Sequence, residues 1–276
     1  MSDTVPSAAA LGATALLYLV AAVLLGAGLL LQRRGWLVAG RFAAGAGVVL
    51  HAAAIGLRCA ELHQAPFTTP AESLSLLAWI VAGAYLAVEV FWRLSAAGTF
   101  ALGAAFLLVT LGGALSRTGQ IGAQNAALLS ERAVSLHVLA TVGAIAAFVL
   151  AFCCAALYLL AHRILKSKSG LSWIKRLPPL ATVESASFAL VAVGFPLLSL
   201  GIVSGLLSAT AAAMPPGWQT DPKILLAFLV WLVYAAYLYA RLRAGWAPTR
   251  TAYILITGLF LSLLLFLIPT SYHRFR

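Results

Sequence analysis

The sequence predicts an all-α fold: a polytopic membrane bundle of eight transmembrane helices, with both termini on the outer side. This expectation comes from the composition of the chain and from the length and spacing of its apolar runs. Of the 276 residues, 63% are hydrophobic and 9% are charged, and the mean hydropathy is +1.00. Soluble domains have roughly 45–50% apolar and about 25% charged residues. We therefore expect residues 1–276 to form a single integral membrane domain.

The apolar runs predict where the helices cross the membrane. A helix needs about 20 mainly apolar residues to span a bilayer. Small residues are frequent within the runs, as in "AGRFAAGAGVVLHAAAIG", and they allow helices to pack closely. In chain order the predicted spans are 8–31, 37–60, 73–92, 97–115, 134–161, 183–209, 222–242 and 251–269.

The basic residues predict the orientation of these spans. The net charge of +11 would suggest nucleic acid in a soluble protein, but here the Lys and Arg residues lie between apolar runs, so no nucleic-acid partner is expected. Twelve of the 18 fall on one side, which is then cytoplasmic. Its longest loop, "HRILKSKSGLSWIKRLPP", is expected to lie on the anionic headgroups of the lipid bilayer. The acidic residues predicted on the outer side are Asp3, Glu61, Glu72, Glu131 and Asp221.

Two histidines lie inside predicted spans, where ionisable groups are costly and often functional. His51 is in the outer half of the second span, seven residues before Arg58. It is either a ligand of a haem iron or other metal, or a hydrogen-bonding partner of a neighbouring helix. His137 opens the fifth span beside Glu131 and Arg132. It is either an interfacial histidine or an axial haem ligand.

The segment "PPGWQTDPK" precedes the seventh span on the same side. Trp218 is typical of the membrane interface, and it would also form a flat apolar wall suited to a planar macrocycle that carries carboxylates. Thr220 or Asp221 is a predicted N-cap, with Pro222 at the first helical position. His63 and His273 are predicted on the outer side, whereas His162 is predicted at the inner interface.

Three segments together resemble the CcsA-type cytochrome c assembly proteins: "HAAAIGLRCAELHQAPFTTPAESLSLLAW", "SLHVLATVGAIAAFVLAFCCAALYLL" and "GWQTDPKILLAFLVWLVYAAYLYARLRAGW". The resemblance implies an outer surface that holds haem for delivery to the CxxCH motifs of apocytochrome c. It implies that His137 is an external haem ligand and that Trp218 and Asp221 belong to a tryptophan-rich WWD-like segment. His51 and Arg58 match positions in the second span of that family.

The sequence also departs from the family's pattern. Trp218 stands almost alone where the family has several tryptophans, and Thr270 and Tyr239 occupy positions where the family has histidines. His273 lies three residues after Thr270. This reduced pattern resembles the short, eight-span HemX/YpjD-like branch.

We therefore expect a haem-handling protein of cytochrome c assembly, more an assembly factor than a stand-alone enzyme, in the bacterial inner (plasma) membrane. The expected cofactor is a b-type haem, held transiently, with His137 as iron ligand and His51, His63 or His273 as candidates for the sixth position. Expected partners are other cytochrome c assembly or respiratory membrane proteins. Two alternatives stay open at this point: a structural or regulatory subunit that keeps the fold without haem, and a small-molecule transporter.

Overall fold

The computed structural model describes residues 6–62, 67, 69–115, 132–167, 178–211 and 217–268. Within this part of the chain, eight helices are long and apolar enough to cross a membrane, and no strand occurs. The predicted all-α class with eight membrane-spanning helices is confirmed. The helices are α1 (Pro6–Leu30), α2 (Arg34–Leu62), α3 (Pro70–Trp92), α4 (Ser95–Leu115), α5 (Arg132–Ser167), α6 (Leu180–Ala211), α7 (Pro222–Leu242) and α8 (Pro248–Leu267).

Two helices begin at sequence signals that can be recognised locally. Thr69 caps α3 in a reciprocal arrangement: its hydroxyl accepts the backbone N–H of Glu72, whose carboxylate accepts the backbone N–H of Thr69. Asp221 caps α7, and Pro222 occupies the first turn, where a missing N–H costs nothing. The predicted cap of the seventh span is therefore confirmed.

The helices pack as two groups of four. In the first half, α1 packs on α2 and α4, and α3 packs on α4; in the second half, α5 packs on α6 and α8, and α7 packs on α8. The α5 helix joins the halves, because it also packs against α3. In the apolar window of α5, 78% of the residues are buried, compared with 22% for α2 and α7. The helix that carries His137 is thus the most buried span among those described.

Ion pairs lie near both ends of the bundle. We call the end where α5 begins the His137 end and the opposite end, where α6 begins, the Glu184 end. At the Glu184 end, Arg41 pairs with Glu89 at 3.0 Å, and Arg241 pairs with Glu184. At the His137 end, the Nε atom of Arg58 lies 3.8 Å from the carboxylate of Glu72. The two acids that a transporter could use, Glu89 and Glu184, are therefore each paired with an arginine.

Candidate functional site

His137 lies in the first turns of α5 and is half-buried. Its Nδ1 atom is 2.6 Å from the carbonyl oxygen of Gly201 on α6. Because a carbonyl oxygen can only accept a hydrogen bond, Nδ1 must carry the proton and donate it. In the neutral ring the lone pair is then on Nε2. The backbone of α6 thus selects the tautomer of His137 and leaves the Nε2 lone pair available to another partner.

Two glycines let α6 come this close to the imidazole. A Cβ atom on Gly205 would lie 2.6 Å from Nδ1 of His137, and a Cβ atom on Gly201 would lie 2.5 Å from the Oγ1 atom of Thr141. Gly201 and Gly205 are four residues apart, so they share one face of the helix. A larger side chain at Gly205 would therefore collide with the imidazole of His137, and one at Gly201 would collide with Thr141.

The segment before α7 forms a short 3-10 turn, Trp218–Thr220, that begins after Gly217. Gly217 has φ 92°, a left-handed conformation that glycine adopts without strain. Trp218 is 9% exposed, so its indole is mostly covered by protein and is not an open wall. Asp221 is 3% exposed, and its carboxylate accepts the backbone N–H of Lys223 at 2.8 Å.

Lys223 is a residue that the sequence reasoning did not assign to the site. It is half-buried in the first turn of α7 and lies close enough to His137 to interact with it electrostatically. The His137 end of the second half therefore brings together an oriented imidazole, a capped helix start and a lysine.

His51 has a different environment from His137. It is fully buried in α2, where Nδ1 lies 3.1 Å from the hydroxyl oxygen of Tyr18 on α1 and Nε2 lies 2.9 Å from the hydroxyl oxygen of Ser75 on α3. Both ring nitrogens are thus engaged. Iron binding by His51 would require the loss of one of these hydrogen bonds, so its predicted role as a ligand stays a prediction.

Of the remaining predicted residues, some lie outside the described part of the chain and the others lie away from His137. His63 and His273 lie outside the described residues, as does Glu131. His162 is near the end of α5, at the Glu184 end, with its ring stacked against Tyr158 at a centroid distance of 6.0 Å. Arg58 pairs with Glu72 at the His137 end, in the first half of the bundle.

A family model described as "Cytochrome C assembly protein" matches residues 68–275. The chain belongs to this family. The match covers α3 to α8 and includes His137, Trp218 and Asp221, whereas His51 and Arg58 lie before it.

Individual relatives match over shorter segments. The chain is 41% identical over 85 residues to a cytochrome c biogenesis protein CcsA of Thermosynechococcus vestitus, over 31% of this chain and 26% of the relative. It is 44% identical over 78 residues to CcsA of Synechococcus sp. strain RCC307, over 28% of this chain and 25% of the relative. For CcsA of Picosynechococcus sp., the identity is 39% over 79 residues, which is 23% of that protein. Each match spans about a quarter of the relative's own length.

The chemistry of the site fits haem, the group that the family implies. A metal-binding histidine usually donates its other ring N–H to a carbonyl or carboxylate, which orients the ring and makes the binding nitrogen more basic. His137 already has this arrangement. The residues that would hold haem here are His137, through Nε2, and Lys223, which would supply positive charge nearby.

The residues that position His137 were missed because they lie far from it in the sequence. Gly201 is 64 residues from His137, and no local pattern links the two. The spacing in "GIVSG", with Gly201 and Gly205 as its first and last residues, was the one available signal, since paired small residues four apart are typical of close helix contacts in membranes.

Proposed function

We propose that this protein binds haem at the His137 end of the second half of the bundle and passes it on during the assembly of c-type cytochromes. The observation that carries the proposal is the hydrogen bond from Nδ1 of His137 to the Gly201 carbonyl, which makes Nε2 the nitrogen available to iron. Family membership supports the same conclusion, because the match includes α5, α6 and α7.

Each residue of the proposed site has its own task. His137 ligates the iron through Nε2. Asp221 holds the first turn of α7 in place through its cap. Trp218 packs beside that turn as a rigid apolar support, with little of its ring exposed. Haem, when bound, supplies the iron and the macrocycle that is finally joined to the CxxCH cysteines of an apocytochrome.

The distribution of charge supports an orientation of the protein in the membrane. We propose that residues 1–276 act as one multi-pass domain in the bacterial plasma membrane, with the His137 end and both termini outside. The excess of Lys and Arg predicted on the opposite side supports this orientation. The bound group is a b-type haem held transiently, and the partners are other cytochrome c assembly or respiratory membrane proteins. The count of eight candidate spans among the described residues supports assignment to the short, eight-span branch of the family.

The test is an absorption spectrum of the full chain, purified in detergent from haem-replete cells and recorded oxidised and reduced. We expect a Soret band in the wild type that is largely lost in His137→Ala. His162→Ala is the matched control, because it removes a histidine from the opposite end of the same helix. A colourless wild type, or an unchanged Soret band in His137→Ala, would contradict the proposal. The first result would favour a subunit that keeps the fold without binding haem.

A further inference from the structure

Lys223 is held in a defined position by the start of α7. Asp221 accepts its backbone N–H at 2.8 Å, and Pro222 lies between the two. The backbone of the first turn is therefore fixed, although the lysine side chain is long. The side chain is half-buried and is partly withdrawn from water.

The ammonium of Lys223 has no ion-pair partner among the residues that the structure describes. The three ion pairs found there all use arginine: Arg41 with Glu89, Arg58 with Glu72 and Arg241 with Glu184. Lys223 interacts electrostatically with His137 and Asp221, but the Asp221 carboxylate caps the helix through the backbone of Lys223. Within the described ranges, Lys223 thus lies at the same end of the bundle as His137 and near enough to interact with it electrostatically, and no carboxylate forms an ion pair with its ammonium.

A partly buried ammonium is most stable when an anion is close to it. The neighbouring imidazole adds no negative charge, because its Nδ1 proton is donated to a backbone carbonyl and its ring is neutral when Nε2 is free to bind a metal. The group that would complete this environment has a metal for Nε2 and a carboxylate for the lysine. Haem has both, since its macrocycle carries propionates.

We propose that the Lys223 ammonium binds a propionate carboxylate of the haem whose iron is ligated by His137. The inference rests on the proposed function and extends it, because it names the residue that recognises the acidic edge of the macrocycle. Lys223 would then determine how the haem is oriented and would favour a carboxylate-bearing porphyrin over an uncharged one.

The test compares haem with haem dimethyl ester, in which both propionates are blocked. Each compound is titrated into the full chain purified in detergent from haem-limited cells, and binding is followed by the Soret band. His137→Ala provides the baseline for nonspecific uptake into micelles. We expect the wild type to bind haem about tenfold more tightly than the ester, which is the size expected for a hydrogen bond to a charged group. Lys223→Gln should lose this preference by weakening haem binding, with ester binding unchanged.

Two further variants serve as controls. Lys223→Arg keeps the positive charge and should retain most of the preference for haem. Lys166→Gln makes the same chemical change at the exposed last turn of α5, at the Glu184 end, and should behave as wild type.

The outcomes separate this inference from the function on which it rests. Equal wild-type affinities for haem and the ester would overturn it, as would a Lys223→Gln protein that keeps the wild-type preference. In both cases a Soret band that depends on His137 would leave the proposed function in place. A wild type that binds neither compound above the baseline would overturn both. If Lys223→Gln does not fold, the proposal is tested by the affinities of the wild type and of Lys223→Arg for the two compounds. Equal affinities for haem and the ester would again overturn it.

Discussion

His51 and His137 are the same residue type in the two halves of one bundle, but they differ in burial and in the hydrogen-bond partners of their ring nitrogens. His51 is fully buried, and each ring nitrogen has a hydroxyl partner from another helix. His137 is half-buried, and one ring nitrogen is bonded to a backbone carbonyl. A hydroxyl both donates and accepts, so the partners of His51 do not select a tautomer, whereas the carbonyl beside His137 does.

The difference indicates separate roles for the two residues. The contacts of His51 connect α1, α2 and α3 at a fully buried position, where an unpaired polar group is expensive. The contact of His137 connects α5 with α6 and leaves one nitrogen for another partner. We infer that His51 stabilises the first half of the bundle and that His137 binds the ligand in the second half. Substitutions at these histidines and at their partners test this contrast.

His51→Ala should lower the free energy of unfolding of the haem-free protein by about 2–4 kcal/mol. It removes two hydrogen bonds, leaves the hydroxyls of Tyr18 and Ser75 without their partner, and creates a cavity among three helices. The measurement is the unfolding transition in mixed micelles, followed by circular dichroism. The haem spectrum per folded molecule should not change. A lost or shifted Soret band in folded His51→Ala would mean that His51 ligates iron after all.

The same two histidines show which features can be predicted from the sequence and which cannot. The eight spans could be predicted because a bilayer requires long apolar runs, and the α7 cap because Asp221 and Pro222 are adjacent in the sequence. The partners of His51 could not be identified, since Tyr18 and Ser75 lie 33 and 24 residues away on other helices. The tautomer of His137 depends in the same way on Gly201. Local signals therefore predicted the helices, while the distinction between the two histidines required the packing.

Gly205→Ala should weaken haem binding about tenfold, or by about 1.4 kcal/mol, because loss of an orienting contact typically costs a metal site 10–100-fold. The added Cβ atom would lie 2.6 Å from Nδ1 of His137 and would force the ring away from the Gly201 carbonyl. Haem titration of the full chain measures the effect. Gly143→Ala on α5 is the matched control, since a Cβ atom there would meet its nearest neighbour at an ordinary 3.6 Å. Unchanged affinity in Gly205→Ala would show that the orientation of His137 does not control haem binding.

Ser75→Ala is expected to have the smallest effect, because it removes a single hydrogen bond between helices, worth about 0.6 kcal/mol on average in membrane proteins. In the His51→Ala background the same substitution should cost nothing, since the partner of the Ser75 hydroxyl is already gone. The double-mutant cycle, measured by unfolding of the haem-free protein, therefore isolates the contact between the two side chains. A coupling energy near zero would mean that the hydroxyl contributes no stability through His51. A coupling that appears only after haem is added would instead place His51 in contact with the ligand and remove the contrast with His137.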